Sequence, residues 1–299
     1  MSVPDEALAS ALGGLGARVV RWDLRGPAPE TAIDLVVLPY TMGAVDLARL
    51  EGVTTRLVQT QTLGYDNLIG HVPAGHRVAN AVGVHEGPTA ELAVALILAS
   101  RRGLDDALRA QLRHAWSREW TQGLLGARVV LVGYGGVARA IAARLEPFGC
   151  AIEAVATRAR RVEGRDVRGP EDLEVLVGRA DVVVLAVPLA QSTDGLVDAA
   201  FLARMKDGAL LVNVSRGRVV DTDALAAQLR AHRLRAALDV VDPEPLPPDH
   251  PLWDAPGLVL SPHVGGLVSS MTERVAALVR DQAGRLARGE APLNLIDVA

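Results

Sequence analysis

The chain has 299 residues, 49% of them hydrophobic and 22% charged, which is apolar material for two domains of ordinary size. A net charge of -4 offers no overall attraction to phosphate backbones or anionic lipid, so neither a nucleic acid nor a membrane is expected as partner. With one cysteine, Cys150, no internal disulfide can form, and the start MSVPDEALASALGGLG lacks a basic segment leading into an apolar one, so the expected location is cytoplasmic.

In chain order, the runs ARVVRW (17–22), AIDLVVLP (32–39) and RLVQT (56–60) predict strands, and TAELAVALILASRR (89–102) predicts a long helix. Further strands are predicted at 127–133, 181–188 and 209–215, and a second long helix at 268–289. Strand runs alternating with helical stretches predict an α/β fold of two doubly wound parallel-sheet lobes, Rossmann- or flavodoxin-like, with an interdomain cleft. If the two long helices cross between lobes, residues 1–85 and 270–299 form a discontinuous substrate-binding domain around a dinucleotide-binding domain at 86–269.

The strand at 127–133 runs into Gly133-Tyr134-Gly135-Gly136-Val137-Ala138, followed by an amphipathic helix and a strand starting near Ala151. In that context Gly133 permits the tight turn, Gly135 lets backbone approach a pyrophosphate, and Ala138 allows the helix to pack closely on the strand. The helix N-terminus would supply N–H groups to the phosphates. An acid that holds the ribose of NAD is expected near the end of the second strand, AIEAVATRARR, but Ala156 stands there. Glu153 comes too early in the strand, and Thr157, Arg158, Arg160 and Arg161 follow. The missing acid and added base favour NADP, with NAD possible; the plainer alternative is a solvated basic turn.

Three later segments carry chemistry: NVSRGRVVD (213–221), ALDV with PEPLP (237–247), and SPHVGG (261–266). With VANAVGVHEGPTAELAVALIL (78–98), the glycine loop, DVVVLAVPLAQST (181–193) and HPLW (250–253), their order resembles the D-isomer-specific 2-hydroxyacid dehydrogenase family, and most closely its NADP-linked glyoxylate and hydroxypyruvate reductases. The resemblance implies an NAD(P)-dependent oxidoreductase that reduces a small 2-oxo acid to a 2-hydroxy acid. Arg216 would bind the substrate carboxylate, His263 would be the acid–base residue and Glu244 its partner. Ketone reduction needs hydride at carbon and a proton at oxygen, which imidazolium supplies near neutral pH, and a guanidinium fork matches a carboxylate.

By the same resemblance Gly133, Tyr134, Gly135, Gly136, Val137, Thr157, Arg158, Pro188 and Thr193 would bind the cofactor, and Asp239 would touch its nicotinamide. Leu63 and Gly64, in TLGYD (62–66), would offer backbone N–H groups to the substrate carboxylate. The phosphite-oxidising branch has a lysine where this chain has Leu63, which counts against phosphite. Tyr40, Met42, Tyr65 and His85 either line a pocket or pack. Trp116 and Trp120, in a polar segment, suit a homodimer contact or packing within one chain. No histidine pair combines a convincing metal-ligand spacing with acidic companions. A corepressor-like dinucleotide-sensing scaffold on the same fold is the alternative, against which the intact Arg216, Glu244 and His263 argue. Amino-acid dehydrogenation would need a lysine base, and Lys206 is the only lysine.

Overall fold

The computed structural model describes residues 1–40 and 46–298, so the expectation for Met42 lies outside the described residues. The chain divides into two compact units, one of Met1–His85 with Leu267–Ala299, the other of Glu86–Gly266. The second boundary falls three residues before the expected 269/270 because Val268 packs on the first unit's core.

The first unit begins with β1 (Ser2–Val3), α1 (Glu6–Ala11), β2 (Val20–Arg21), β3 (Leu35–Val37), β4 (Leu57–Gln59) and β5 (Val78–Ala79). The second contains α2 (Glu86–Arg101), α3 (Leu104–Leu112), β6 (Arg128–Val132), α4 (Gly136–Leu145), β7 (Ala151–Val155), β8 (Arg160–Val162), β9 (Arg165–Arg168), α5 (Leu173–Arg179), β10 (Val182–Leu185), α6 (Ala199–Arg204), β11 (Leu210–Asn213), α7 (Thr222–Arg230), β12 (Arg235–Leu238) and β13 (Leu258–Leu260). Helix α8 (Met271–Ala287) and β14 (Leu295–Ile296) complete the first. Helix α2 starts three residues before the expected Thr89, since Pro88 is tolerated in a first turn whose N–H groups have no intrahelical partner.

The first sheet has the order β14-β5-β4-β3-β1-β2, and the second β13-β12-β11-β10-β6-β7-β9-β8. Leaving out β14, the first follows the flavodoxin-like order; the second is the Rossmann order with its switch point between β6 and β10. Neither sheet is wholly parallel. β14 runs antiparallel to β5 and β8 antiparallel to β9, so the basic stretch after Ala156 is partly an edge hairpin rather than only a turn.

Strand alternation sends side chains to opposite faces, and both faces are buried. In the second unit Val129, Leu131, Val182, Val184, Leu210 and Val212 enter one core, while Val130, Val132, Val183, Leu185 and Leu211 enter another. In the first unit Leu35, Val37 and Leu57 face the core under α8, and Val36 and Val58 the opposite one. A buried amide pair ties α8 and β14 into this sheet: Gln282 Nε2 donates to Gln59 Oε1 at 2.8 Å and to Leu293 O at 3.0 Å, and Leu293 N donates to Gln282 Oε1 at 3.0 Å.

Candidate active site

Three adjacent parallel strands of the second unit, β11, β12 and β13, deliver their carboxyl ends to one edge. β11 leads into Arg216, β12 into Asp239 and the Glu244 loop, and β13 into His263. Glu244 Oε2 and His263 Nδ1 lie 2.8 Å apart, and Val241 N donates to Glu244 Oε1 at 2.9 Å. The Glu244 hydrogen bond raises the His263 pKa above the ordinary 6.5 against the opposing effect of burial, and Arg216 is near enough to press it down. Partial burial works to raise the Glu244 carboxyl, but the bonds from His263 and Val241 outweigh it and hold it below 4.5. With Nδ1 bound to carboxylate, Nε2 of the imidazolium is the nitrogen left to give a proton.

The His263 backbone is left-handed, with φ of 54°, a conformation that costs a non-glycine residue about 1–3 kcal/mol unless the surroundings fix it. Asp239 fixes it. Its carbonyl accepts from His263 N at 2.7 Å, and its buried carboxylate accepts from Ser261 Oγ at 2.6 Å and from the N–H groups of Val264 and Gly265, both at 2.9 Å. Arg216 is braced in a similar way. Asn213 Nδ2 donates to Arg216 O at 2.9 Å, and Asn213 Oδ1 accepts from Ser215 N and Oγ at 3.0 and 2.6 Å. Gly217 lets this turn touch the next loop, since a Cβ there would lie 1.8 Å from Val241 O.

At the switch point Gly133 has φ of 89°, and a Cβ there would sit 2.4 Å from Ala186 O, so only glycine fits. Gly135 precedes α4 with open space around it and no side-chain cap. The N–H groups of Gly136, Val137 and Ala138 find no acceptor among the described residues. Uncapped N–H groups, a glycine with room beside it and a fully buried Ala138 fit a dinucleotide pyrophosphate. The Tyr134 side chain is core, so Tyr134 can serve a cofactor only through its backbone. Thr193 Oγ1 donates to Pro188 O at 2.6 Å and closes the loop after β10.

Beyond β7, Thr157 and Arg158 are exposed, and Arg158 has no acidic partner among the described residues. Its neighbours are committed elsewhere. Arg160 donates to Arg158 O at 3.2 Å and to Tyr134 O at 3.1 Å, Arg161 pairs with Asp166, and Glu153 holds Arg179 at 2.5 Å.

The family model for the D-isomer specific 2-hydroxyacid dehydrogenase, NAD binding domain, matches residues 94–265. The chain belongs to this family. It is 31% identical to glyoxylate reductase/hydroxypyruvate reductase of Mus musculus, over 97% of this chain and 94% of that protein. It is 37% identical to (S)-sulfolactate dehydrogenase of Chromohalobacter salexigens, over 70% of this chain and 69% of the relative. A D-isomer specific 2-hydroxyacid dehydrogenase of Xanthobacter autotrophicus Py2, solved with NADPH and MES, superposes with a TM-score of 0.84 at 26% identity, covering 98% of this chain and 93% of that one. As a 2-hydroxyacid dehydrogenase, the chain is an NAD(P)-dependent oxidoreductase acting on 2-hydroxy acids.

The second unit of this 2-hydroxyacid dehydrogenase gathers Arg216, Asp239, Glu244, His263, the glycine loop, Thr157, Arg158, Pro188 and Thr193 around carboxyl strand ends. Leu63 and Gly64 follow β4 in the first unit. Tyr40 and Tyr65, both half-buried, pack against cores there, and His85, buried, contacts Gln61 O at 2.6 Å. Lys206 pairs with Asp181 at the amino end of β10, away from the carboxyl-end chemistry. Sequence reasoning missed Ser261 and Asn213 as braces, although both stand inside the motifs. Among the described residues no group of three or more His, Cys, Asp or Glu could hold a metal ion, and no helix is long and apolar enough to cross a membrane.

Proposed function

We propose that this chain reduces a small 2-oxo acid, of the glyoxylate or hydroxypyruvate kind, to its 2-hydroxy acid, with NADP(H) as preferred cofactor. The hydrogen-bonded His263–Glu244 pair beside Arg216 carries the reading. Bound NADPH supplies the hydride that adds to the 2-oxo carbon. Imidazolium at His263 gives the Nε2 proton to the carbonyl oxygen, Glu244 holds the charge on the ring, and Arg216 holds the carboxylate and polarises the carbonyl. In the reverse direction neutral His263 accepts the hydroxyl proton.

The second unit serves as the dinucleotide-binding domain and the first as the substrate-binding domain, where Leu63 and Gly64 give backbone N–H groups to the carboxylate. Gly133, Tyr134, Gly135, Gly136 and Val137 hold the pyrophosphate; Pro188, Thr193 and Asp239 line the nicotinamide side. Thr157 and Arg158, which has no acidic partner among the described residues, take the 2′-phosphate, which supports NADP over NAD. The NADPH in the Xanthobacter relative and the name of the mouse relative agree with both choices. The enzyme is cytoplasmic and homodimeric in this reading. Leu104, Leu108 and Leu112 form an exposed stripe on α3, followed by Trp116 and Trp120 at 89% and 104% exposure, so the two indoles do not pack within their own chain.

A panel of 2-oxo acids, with NADPH absorbance followed at fixed pH, tests the function. Turnover of a 2-oxo acid that falls by about two to four orders of magnitude in His263→Ala is expected. Near wild-type turnover in that variant would overturn the assignment.

A further inference from the structure

The turn after β4 is built so that its carbonyls are held and its amides are not. Thr60 Oγ1 donates to Thr62 O at 2.7 Å, and Ala81 N donates to the same oxygen at 2.9 Å. Asn80 Nδ2 donates to Leu63 O at 2.8 Å, and Thr62 Oγ1 donates to Gly64 O at 2.8 Å. Three consecutive carbonyls are thereby fixed by the chain's own side chains and by the Ala81 N–H just after β5.

In a trans peptide the C=O and the N–H of the same plane point in opposite directions. Fixing the oxygens of residues 62, 63 and 64 therefore aims the N–H groups of Leu63, Gly64 and Tyr65 the other way. None of these three N–H groups has an acceptor among the described residues. Successive unpaired amides of this kind form a concave receptor for an anion.

Asn80 is held for this purpose at some cost. It is 5% exposed, and its Oδ1 is buried without a partner. Turning the carboxamide over would bring oxygen against the Leu63 oxygen, so the carbonyl dictates the orientation and the orphan remains. For stability alone the carboxamide gains little, because one bond is offset by one unpaired acceptor.

We propose that Thr62 and Asn80 are positioning residues that aim the Leu63, Gly64 and Tyr65 amides at the substrate carboxylate, an inference that rests on the reading of the Leu63–Gly64 turn as a carboxylate receptor. They touch the turn and not the substrate. Their loss weakens carboxylate binding and leaves the chemical step, which belongs to His263, largely intact.

The test uses the full chain saturated with NADPH, and oxamate as a 2-oxo-carboxylate mimic that is not reduced. In wild type the ¹⁵N amide signals of Leu63, Gly64 and Tyr65 shift on oxamate addition; if they do not, the turn is no carboxylate receptor. Thr62→Val, which keeps shape and loses the hydroxyl, and Asn80→Ala each raise the oxamate Kd and the 2-oxo acid KM by about two- to tenfold, the worth of one neutral hydrogen bond. Both keep kcat, the NADPH KM and the melting temperature near wild type, and Thr62→Ser restores binding. If the amides shift but Thr62→Val and Asn80→Ala bind oxamate as wild type does, the positioning role is overturned. It is equally overturned if KM, kcat and melting temperature deteriorate together, or if Thr62→Ser behaves like Thr62→Val.

Discussion

Replacing Gly217 by alanine separates Arg216 from the His263–Glu244 pair without touching either. The new Cβ would lie 1.8 Å from Val241 O, 2.0 Å from Val241 C and 2.7 Å from Asp242 N, all backbone atoms that no side-chain rotation can move. Ordinary contact begins at about 3.4 Å, so the two loops must part by about 1.6 Å. Arg216 sits on one of them, and Val241, whose N–H holds Glu244, on the other. A misplacement of about 1 Å costs roughly a hundredfold in rate, so kcat/KM for 2-oxo acid reduction falls by about a hundredfold or more. Overpacking of this kind costs about 1–3 kcal/mol, or roughly 2–12 °C in melting temperature for a unit of this size. Gly135→Ala is the control, because its Cβ meets nothing within 4 Å of the protein. That variant keeps its melting temperature and loses NADPH affinity instead. Steady-state kinetics with a thermal melt decides the matter: Gly217→Ala within about threefold of wild-type kcat/KM would refute the loop-contact argument.

Because Glu244 raises the His263 pKa, reduction persists above the ordinary imidazole range and fails as pH rises through the raised value; Glu244→Gln moves that alkaline limb to lower pH in a kcat/KM profile, and an unmoved limb would contradict the pairing. For stability the same pair works in a window: the His263 contribution is complete below its unfolded pKa and lost as pH rises through the raised one. The Glu244 contribution is present above its unfolded pKa and lost as pH falls through the lowered one, so pH-dependent melts of Glu244→Gln and wild type converge at both extremes. Asp239→Asn replaces an acceptor facing three donors and loses at least one charge-assisted bond, about 1.5–3 kcal/mol, seen as a lower melting temperature together with lower kcat; unchanged melting would mean the loop holds His263 by itself. One arginine–phosphate contact is worth about tenfold to a hundredfold, so Ala156→Asp with Arg158→Ala shifts the kcat/KM ratio from NADPH toward NADH, and equal efficiencies in wild type would mean the basic stretch is only solvated surface. Light scattering at micromolar concentration reads a dimer for wild type and a monomer for Leu108→Glu with Leu112→Glu; a monomeric wild type refutes the proposed assembly.

The strands were legible because Val- and Leu-rich runs buried on both faces leave a continuous apolar signature, as at Val182–Leu185. The glycine loop was legible because Gly133 has no substitute at a φ of 89° against Ala186 O. The two-residue strands β1, β5 and β14 are too short to show a period, and the β8–β9 hairpin carries arginines where a buried strand would carry valines. Arg216, Glu244 and His263 stood out by motif. Their supports did not, because a brace is recognised by what it faces: Ser261 meets Asp239 from 22 positions away, and Asn80 meets Leu63 across 17.

The Gln59–Gln282–Leu293 stitch also sets an order of assembly on the ribosome. Residues 86–266 emerge as one uninterrupted stretch and hold both of their own cores, so that unit can close while the rest is still being made. The earlier 85 residues must wait, with β5 an open edge, until 271–296 emerge to cap it. A nascent chain stalled before Gln282 therefore exposes a strand edge and an uncovered apolar face, the features through which chains aggregate.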